Sequence, residues 1–275
     1  MKKFSRHYSW HGNEALTFAS HMVQELKGLN NLDVFNWLDY DDIDWVKKCS
    51  NPCRRTLLHE YISYIVCFQY QYSLDKHFPM SVINPLSELM KRYGIDYSHL
   101  GNADFIGLED DELDPDEFDS YEVEKYGYKI YELFDTELEA TFVDDIFTVL
   151  FANKEFLFEF NSQIQSLVDD LSIQDYPELL KKDGVFKRVY IPTWLKKGVF
   201  MRDKGRCQIC GTDLTKILTV EDSDNLDHII PLENGGTNDP VNFQLACETC
   251  NKSKGARNST YNSLGSRYWK MDEKK

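Results

Sequence analysis

Three stretches decide the fold of the C-terminal third: GRCQICG (205–211), LDHIIPLENGG (226–236) and CETCNKSKG (247–255). The first and third each contain a CxxC pair, and two thiolates separated by two residues can bind one Zn²⁺ from a single turn. Two such pairs complete the closed tetrahedral shell that structural zinc prefers. We therefore predict a structural Zn²⁺ site with four ligands: Cys207, Cys210, Cys247 and Cys250. Many zinc sites of this kind only brace a small domain.

The interval between the two pairs is longer than a simple zinc ribbon needs, because 36 residues (247 − 210 − 1) separate Cys210 from Cys247. It contains the adjacent residues Asp227 and His228. A neutral imidazole can accept a proton near pH 7, which suits histidine to activating a water molecule. His228 is the only histidine after residue 99, so any histidine base in this part of the chain must be this residue.

Charge is distributed unevenly along the 275 residues, whose formal net charge is −15. Residues 185–275 contain 15 Lys or Arg and 11 Asp or Glu, a net of +4, which leaves 16 against 35, or −19, for residues 1–184. An acidic surface repels phosphate, so the total charge argues against a nucleic-acid partner. The distribution restricts such a partner to the mildly basic C-terminal part.

The chain before residue 180 has mainly helical periodicity. Apolar residues recur at helical spacing over 15–26, 57–68, 142–150 and 157–171. Asn84 and Pro85 predict the start of a further helix, and Gly94 predicts its end. We expect one face of each helix to be buried.

A domain boundary is predicted near KKDGVFKRVYIPTW (181–194). Residues 181–184 form a polar turn, residues 185–191 alternate as in a short strand, and Pro192 opens a helix that ends at Gly205. The sequence thus predicts an α+β protein that is mainly α. An acidic helical domain (1–183), with a partner-binding or regulatory role, precedes a small C-terminal domain (184–275).

The location of the protein is predicted from what the sequence lacks. No stretch has the length and apolar character of a signal peptide or a membrane span, so we expect a cytoplasmic protein without a membrane partner. Cysteines stay reduced in that compartment, which favours metal ligation for the four clustered ones. Cys49, Cys53 and Cys67 are interpreted as buried or incidental thiols.

The segment EDDELDPDEFD (109–119) is acidic at eight of its eleven positions. Such a run is typical of a solvated loop. The alternative is a phosphate mimic that covers a basic face or binds a basic partner.

Arg54 and His59 have the RxxxxH spacing of the HEPN ribonucleases, which this pattern resembles. Arg55 replaces the polar residue usual after the arginine in that motif. The pattern also arises easily by chance, and packed or surface side chains are the alternative.

Residues 191–257 resemble the HNH endonucleases of the zinc-braced kind. The features occur in the order of that family: two CxxC pairs, DHI-P, a GG, an N-x-Q spacer and CN-x-x-K. The resemblance covers about a quarter of the chain and implies a ββα-metal fold that holds one catalytic divalent ion. It says nothing about the N-terminal region.

The resemblance also implies roles for individual residues. Asp227 would bind the catalytic metal, His228 would act as the general base, and Asn242 would hold the loop and fix the imidazole. Asn251 stands where many members have histidine, which gives an HNN variant that also occurs in active members. Since its amide oxygen is a harder ligand than imidazole, we expect catalytic Mg²⁺ or Mn²⁺ rather than Zn²⁺ or Ni²⁺.

Basic residues near the last CxxC pair are candidates for binding nucleic acid. The family pattern places a lysine near phosphate at Lys254, and solvated surface charge is the alternative for each member of the group. The candidates are Lys254, Lys252, Arg257 and Arg206. The helix before the first pair adds Lys196, Lys197, Arg202 and Lys204.

The function that the resemblance implies is metal-dependent hydrolysis of DNA, with 5′-phosphate and 3′-hydroxyl products. The alternative is a zinc-stabilised module that binds nucleic acid without cutting it. A third hypothesis gives the acidic helical domain the central role, as a partner-binding or self-associating platform that restrains the nuclease. Bacterial anti-phage effectors combine such modules, which is an analogy at the level of the fold.

Overall fold

The computed structural model describes residues 12–28, 37–38, 44–101, 103–114, 118–215 and 226–257. Most of them are helical, which confirms the predicted mainly α fold class. The helices are α1 (Gly12–Gly28), α2 (Trp45–Ser50), α3 (Leu57–Asp75), α4 (Met80–Tyr93), α5 (Ser120–Glu137), α6 (Glu139–Phe151), α7 (Lys154–Asp169), α8 (Thr193–Arg202) and α9 (Glu248–Lys254). The strands are β1 (Leu180–Lys182), β2 (Val185–Phe186), β3 (Leu226–His228) and β4 (Phe243–Leu245). They form two antiparallel pairs, β1 with β2 and β3 with β4.

The chain divides into two compact units. Unit 1 comprises Met1–His21 and His59–Val149, and unit 2 comprises Met22–Leu58 and Leu150–Lys275. This division differs from the predicted boundary between 183 and 184, because two earlier segments belong to the unit that holds the four cysteines. The assignment of separate roles to 1–183 and 184–275 stays a prediction.

Unit 1 is a group of helices with an aromatic core. Phe134 and Phe142 are fully buried and meet edge to face, with ring centroids 6.3 Å apart. Helices α4 and α5 pack closely, and Gly127 of α5 also lies against the end of α3. A Cβ atom at Gly127 would lie 2.9 Å from Cδ2 of Leu74, closer than packed carbon atoms come.

The predicted start of α4 at Asn84 and Pro85 is wrong. The helix begins at Met80, and Pro85 lies inside it. The Asn84 side chain is engaged elsewhere, since it donates to the Leu108 carbonyl at 2.7 Å and accepts from the Gly107 N–H at 2.8 Å. The predicted end is confirmed, because Gly94 follows Tyr93 in the left-handed region with φ 72°.

The acidic segment contributes local capping contacts. Asp110 Oδ1 accepts a hydrogen bond of 3.1 Å from the Met80 N–H at the start of α4. Glu109 and Glu112 form a reciprocal capping box. Residues 115–117 of this segment lie outside the described residues, and its role as a phosphate mimic stays a prediction.

The two residues of the RxxxxH pattern each have a packing partner. His59 is buried and stacks on Phe147 with a centroid separation of 3.8 Å. The Arg54 guanidinium lies 5.1 Å from the ring centroid of Trp194. These contacts account for both residues as packed side chains.

Unit 2 holds a hydrophobic core beneath the second sheet. One face of α7 is buried, and Asn161 on that face donates to the Val241 carbonyl at 3.1 Å. Helix α8 packs against β4. The core cluster consists of Leu195, Val199, Cys207, Leu214, Leu226, Phe243, Leu245 and Ala246.

The predicted strand over 185–191 is shorter than expected. Only Val185 and Phe186 pair, with β1, in a hairpin that turns at Gly184 (φ 66°). Helix α8 also ends before Gly205, at Arg202, and its C-cap residue Asp203 contacts β4 through its side chain. Its Oδ2 accepts a hydrogen bond of 2.7 Å from the Leu245 N–H. In the described part of the chain, no helix combines the length and apolar character required to cross a bilayer.

Candidate functional site

The four cysteines of the two CxxC pairs come together, as the sequence predicts. All four Sγ atoms lie within 4.8 Å of one another, and Sγ of Cys210 lies 3.8 Å from Sγ of Cys247. A tetrahedral zinc with Zn–S bonds of about 2.3 Å places its sulfurs about 3.8 Å apart. The cluster therefore fits a structural zinc ion.

The thiols of the cluster differ in pKa. The Thr212 hydroxyl lies 3.1 Å from Sγ of Cys210 and lowers the pKa of that thiol to about 6. Burial raises the pKa of Cys207 and of Cys250, so zinc must displace the protons of these two thiols when it binds.

Backbone contacts connect the cysteine cluster to the second sheet and to helix α9. The Gln208 N–H donates to the Leu245 carbonyl at 2.8 Å. Cys247 is the N-cap of α9, and its Sγ accepts from the Cys250 N–H at 3.4 Å. The cluster therefore fixes the first turn of the helix that carries Asn251.

Asp227 lies in the middle of β3, opposite Gln244 of β4. The Asp227 side chain is buried and accepts a hydrogen bond of 3.0 Å from Gln244 Nε2. Its Oδ2 also forms an ion pair of 2.9 Å with Lys254 Nζ. Both contacts are to Oδ2, and Oδ1 has no hydrogen-bond partner among the described residues. The carboxylate is thus held in one orientation.

His228 ends β3, half-buried against Phe243, with ring centroids 4.4 Å apart. Its Nε2 lies 3.4 Å from Asn238 Oδ1. Burial has the largest effect on His228 and lowers the pKa of its ring to about 4. The contact with Asn238 raises the pKa, whereas the charges of Arg188 and Lys254 lower it further. The ring is therefore neutral near pH 7, which is the state a proton acceptor needs.

Asn242 holds the loop that follows β3. It is fully buried, its Oδ1 accepts from the Ile230 N–H at 2.9 Å, and its Nδ2 donates to the carbonyls of Ile230 and Thr237, each at 2.9 Å. The loop is tight, since a Cβ atom at Gly236 would lie 1.9 Å from the Ile230 oxygen. Asn242 therefore holds the loop, and its predicted effect on the His228 imidazole stays a prediction.

Substitution of Asn242 by alanine is expected to destabilise the protein by about 3–9 kcal/mol. The change leaves three buried backbone groups without partners, and each such group costs about 1–3 kcal/mol. Urea unfolding of the zinc-loaded protein, followed by tryptophan fluorescence, measures the effect. Asn234→Ala, in the same loop but with an exposed hydrogen bond to Ala256, is the control and is expected to cost under about 1 kcal/mol. Equal effects of the two substitutions would contradict the assignment.

Asp227, His228 and Asn251 line two adjoining clefts of about 520 Å³ and 540 Å³. Carboxylate and amide oxygens are the ligands that Mg²⁺ and Mn²⁺ prefer. The donor types on this wall therefore fit a divalent cation of that class. The structure brings together the predicted base and both predicted ligands of the catalytic ion.

Lys254 is not the solvated surface charge of the alternative interpretation. It is buried, pairs with Asp227, and its Nζ donates to the His228 carbonyl. Burial lowers the pKa of Lys254, an effect that the Asp227 charge opposes. Its contact with phosphate stays a prediction.

The other basic candidates occupy different environments. Lys252 is exposed, pairs with Glu248, and lines the cleft of 540 Å³. Arg257 is exposed and donates to the Lys254 carbonyl at 3.2 Å. Arg206 is exposed on an isolated bridge to Asp213. Their binding to nucleic acid stays a prediction.

Of the basic residues on the preceding helix, Lys196 lines the cleft of 520 Å³. Lys197 and Lys204 are exposed. The expectation that Arg202 faces phosphate is wrong, because its side chain is only 4 % exposed and forms an ion pair of 2.8 Å with Asp203. Arg202 also lies 4.6 Å from the Phe151 ring centroid.

Sequence reasoning missed three residues of the site. Gln244 orients Asp227, Asn238 contacts His228, and the exposed Arg188 lines both clefts. The alternation of β4 predicts which side of the strand Gln244 occupies, given its register with β3. Asn238 and Arg188 have no comparable signal in the sequence.

Comparison with known proteins supports the interpretation of this region. Residues 207–257 match the family model described as HNH endonuclease. No curated protein matches the chain significantly, and no solved structure does. An HNH domain supports a nuclease-type function and, with it, binding of nucleic acid. The C-terminal part of this chain is thus an HNH endonuclease domain with a four-cysteine cluster.

Proposed function

We propose that this protein is a metal-dependent endonuclease that hydrolyses phosphodiester bonds in DNA. One observation carries the proposal: Asp227, His228 and Asn251 line the same clefts within the stretch that matches the HNH family. The combination supplies a proton acceptor and hard oxygen ligands on one wall, which is what cleavage of a phosphodiester needs.

In the proposed mechanism, His228 accepts a proton from a water molecule at its unprotonated ring nitrogen. The water oxygen forms a new bond to phosphorus, the bond from phosphorus to the 3′ oxygen breaks, and that oxygen takes up a proton. Asp227 and Asn251 would hold Mg²⁺ or Mn²⁺, which when bound would neutralise charge on the phosphate and on the leaving oxygen. Asn242 keeps the loop after β3 in place.

The low pKa of His228 has a consequence for this mechanism. A ring with a pKa of about 4 is neutral but is a weak base, and a general base works best with a pKa near the working pH. The negative charge of a bound DNA phosphate would favour the protonated ring and raise the pKa. A divalent cation held by Asp227 and Asn251 would act in the opposite direction, so the base strength in the complex would depend on both charges.

Purified protein is expected to nick supercoiled plasmid with Mg²⁺ or Mn²⁺ more rapidly than with Zn²⁺ or Ni²⁺. The reason is the donor set, a carboxylate and an amide in place of a second imidazole. Agarose-gel assays with each ion, on protein already loaded with structural zinc, measure the preference. Strong nicking with Ni²⁺ beside weak nicking with Mg²⁺ would contradict it.

The same assay tests the proposed activity as a whole. One active site cuts one strand at a time, so open circles should precede linear DNA unless the protein dimerises. Parallel reactions on single-stranded DNA and on RNA define the substrate class. Absence of cleavage of every substrate with every metal would exclude the proposed activity.

One contact favours the second candidate, a zinc-stabilised module that binds nucleic acid without cutting it. Asp227 Oδ2 is occupied by Lys254 and Gln244, which competes with metal binding at that atom. This candidate predicts a gel shift with DNA and no nicking with any ion.

We propose also that the acidic helical region binds a protein partner or a second copy of the chain and thereby regulates the nuclease. The support is the net charge of −19 before residue 185 and the analogy with anti-phage effectors. Deletion of residues 1–180 is an unsuitable test, since it removes Met22–Leu58 and residues 150–180, which belong to unit 2. Nicking by the full chain with and without candidate partners is the appropriate measurement.

A further inference from the structure

Asn238 contacts three parts of unit 2: the end of α2, the residue that follows β2, and His228 at the end of β3. Its backbone N–H donates to the Cys49 carbonyl at 2.7 Å, which attaches the loop to the end of α2. Its side chain is buried and lies 3.4 Å from His228 Nε2. The family motif assigns no role to this position in the chain.

The hydrogen bonds of Asn238 fix which of its side-chain atoms faces the histidine. Its Nδ2 group donates to two backbone carbonyls, that of Ser50 at 3.0 Å and that of Lys187 at 2.9 Å. A carbonyl oxygen can only accept, so these contacts require the amide nitrogen on that side. The atom toward His228 is therefore the amide oxygen.

An amide oxygen also accepts and never donates, which decides the tautomer of the neutral imidazole. Nε2 must carry the proton to make this contact, and Nδ1 is left with its lone pair. Among the described residues, Nδ1 of His228 has no hydrogen-bond partner. The ring nitrogen that can accept a proton is then the one that no protein group occupies.

We propose that Asn238 is a positioning residue that holds His228 in the Nε2–H tautomer, so that Nδ1 is the atom that takes the proton from water. This inference rests on the proposed nuclease function for its catalytic meaning. The tautomer itself is a property of the resting protein and can be measured without any activity.

Long-range proton–nitrogen correlation spectra of the full-length, zinc-loaded protein test the proposal. They are recorded without added Mg²⁺ and well above the pKa of the ring. The His228 signals are those that disappear in His228→Ala. We expect Nε2 in the protonated range and Nδ1 in the unprotonated range. A protonated Nδ1 in the wild type would overturn the proposal, whether or not the protein cuts DNA.

Two substitutions separate this role from simple bracing of the loop. Asn238→Asp keeps an acceptor toward His228 and loses both donor bonds, whereas Asn238→Leu loses all of them. Both should lower stability, but only Asn238→Leu should mix the tautomers and reduce kcat by about 10- to 100-fold, the usual effect of removing a group that orients a site residue. An unchanged tautomer in a folded Asn238→Leu protein would overturn the proposal. Should that variant fail to fold, the wild-type spectrum still decides.

Discussion

Replacement of His228 by alanine is expected to reduce plasmid nicking by about 10²- to 10⁴-fold, the usual contribution of a general base. No second histidine lies within the HNH match or anywhere after residue 99. A carboxylate is a poor substitute, because Asp227, the adjacent acidic residue, is already paired with Lys254. The measurement is the initial rate of open-circle formation under saturating Mg²⁺, beside the Kd for DNA, which should change little.

Two further substitutions distinguish loss of the base from disturbance of the fold. The His228 ring packs on Phe243, so alanine leaves a void that could disturb the fold. His228→Gln fills more of that space and can still donate to Asn238, but its amide cannot take up a proton. We expect both variants to lose nicking activity by about 10²- to 10⁴-fold and His99→Ala, at an exposed position, to be fully active. Nicking by His228→Gln at the wild-type rate would exclude His228 as the base.

The sequence was sufficient to predict those features whose geometry is determined by residue type and spacing. Two CxxC pairs require four convergent sulfurs, and the structure has them within 4.8 Å. The resemblance also implied a ββα-metal fold, and the structure has Asp227 and His228 on β3 and Asn251 on α9, directly after the last cysteine. All of these positions depend on short-range spacing or on one metal, which a single sequence can show.

The features that were missed depend on backbone partners far away in the chain. Asn238 donates hydrogen bonds to the backbone carbonyls of Cys49, Ser50 and Lys187. Every residue has a backbone carbonyl, so the sequence does not show which of them Asn238 will meet. The same reason applies to the boundary of unit 2. Asp239 accepts from the N–H of Leu57, the first residue of α3, at 2.9 Å, so a segment 182 residues earlier packs against the HNH loop.

Burial explains the basic residues that sequence reasoning could not place. Arg202 and Lys254 look like surface charges in a basic stretch, yet each meets a buried carboxylate, Asp203 and Asp227 respectively. A buried charge is stable only with such a partner. Charge patterning alone cannot distinguish a cation that faces phosphate from one that neutralises a carboxylate within the core.

Loss of the structural zinc is expected to have the largest effect on stability. Zinc binding to sites of this kind contributes about 10–16 kcal/mol in small zinc-dependent domains. Substitution of Cys247 by serine removes a ligand and the N-cap of α9 together. We expect the zinc affinity to fall by about 100-fold or more, a larger loss than from removing a group that only orients a ligand. Zinc content by atomic absorption and thermal unfolding measure the two effects.

A cysteine outside the cluster provides the matched control. Cys53 is half-buried, lies in the same unit, and belongs to no CxxC pair. Cys53→Ser should therefore retain one zinc per chain and an unfolding temperature close to that of the wild type. A similar loss of zinc in both variants would mean that the metal binds unfolded or surface thiols, and would contradict the four-cysteine site.

Metal replacement separates the structural ion from the catalytic one. Since the cluster fixes the turn that presents Asn251, removal of zinc should abolish nicking although no sulfur touches the substrate. After complete chelation, Mg²⁺ alone should leave the protein inactive, whereas Zn²⁺ followed by Mg²⁺ should restore it. Full activity of zinc-free protein with Mg²⁺ would show that α9 holds its position without the cluster. The four cysteines would then brace a part of the fold that the active site does not need.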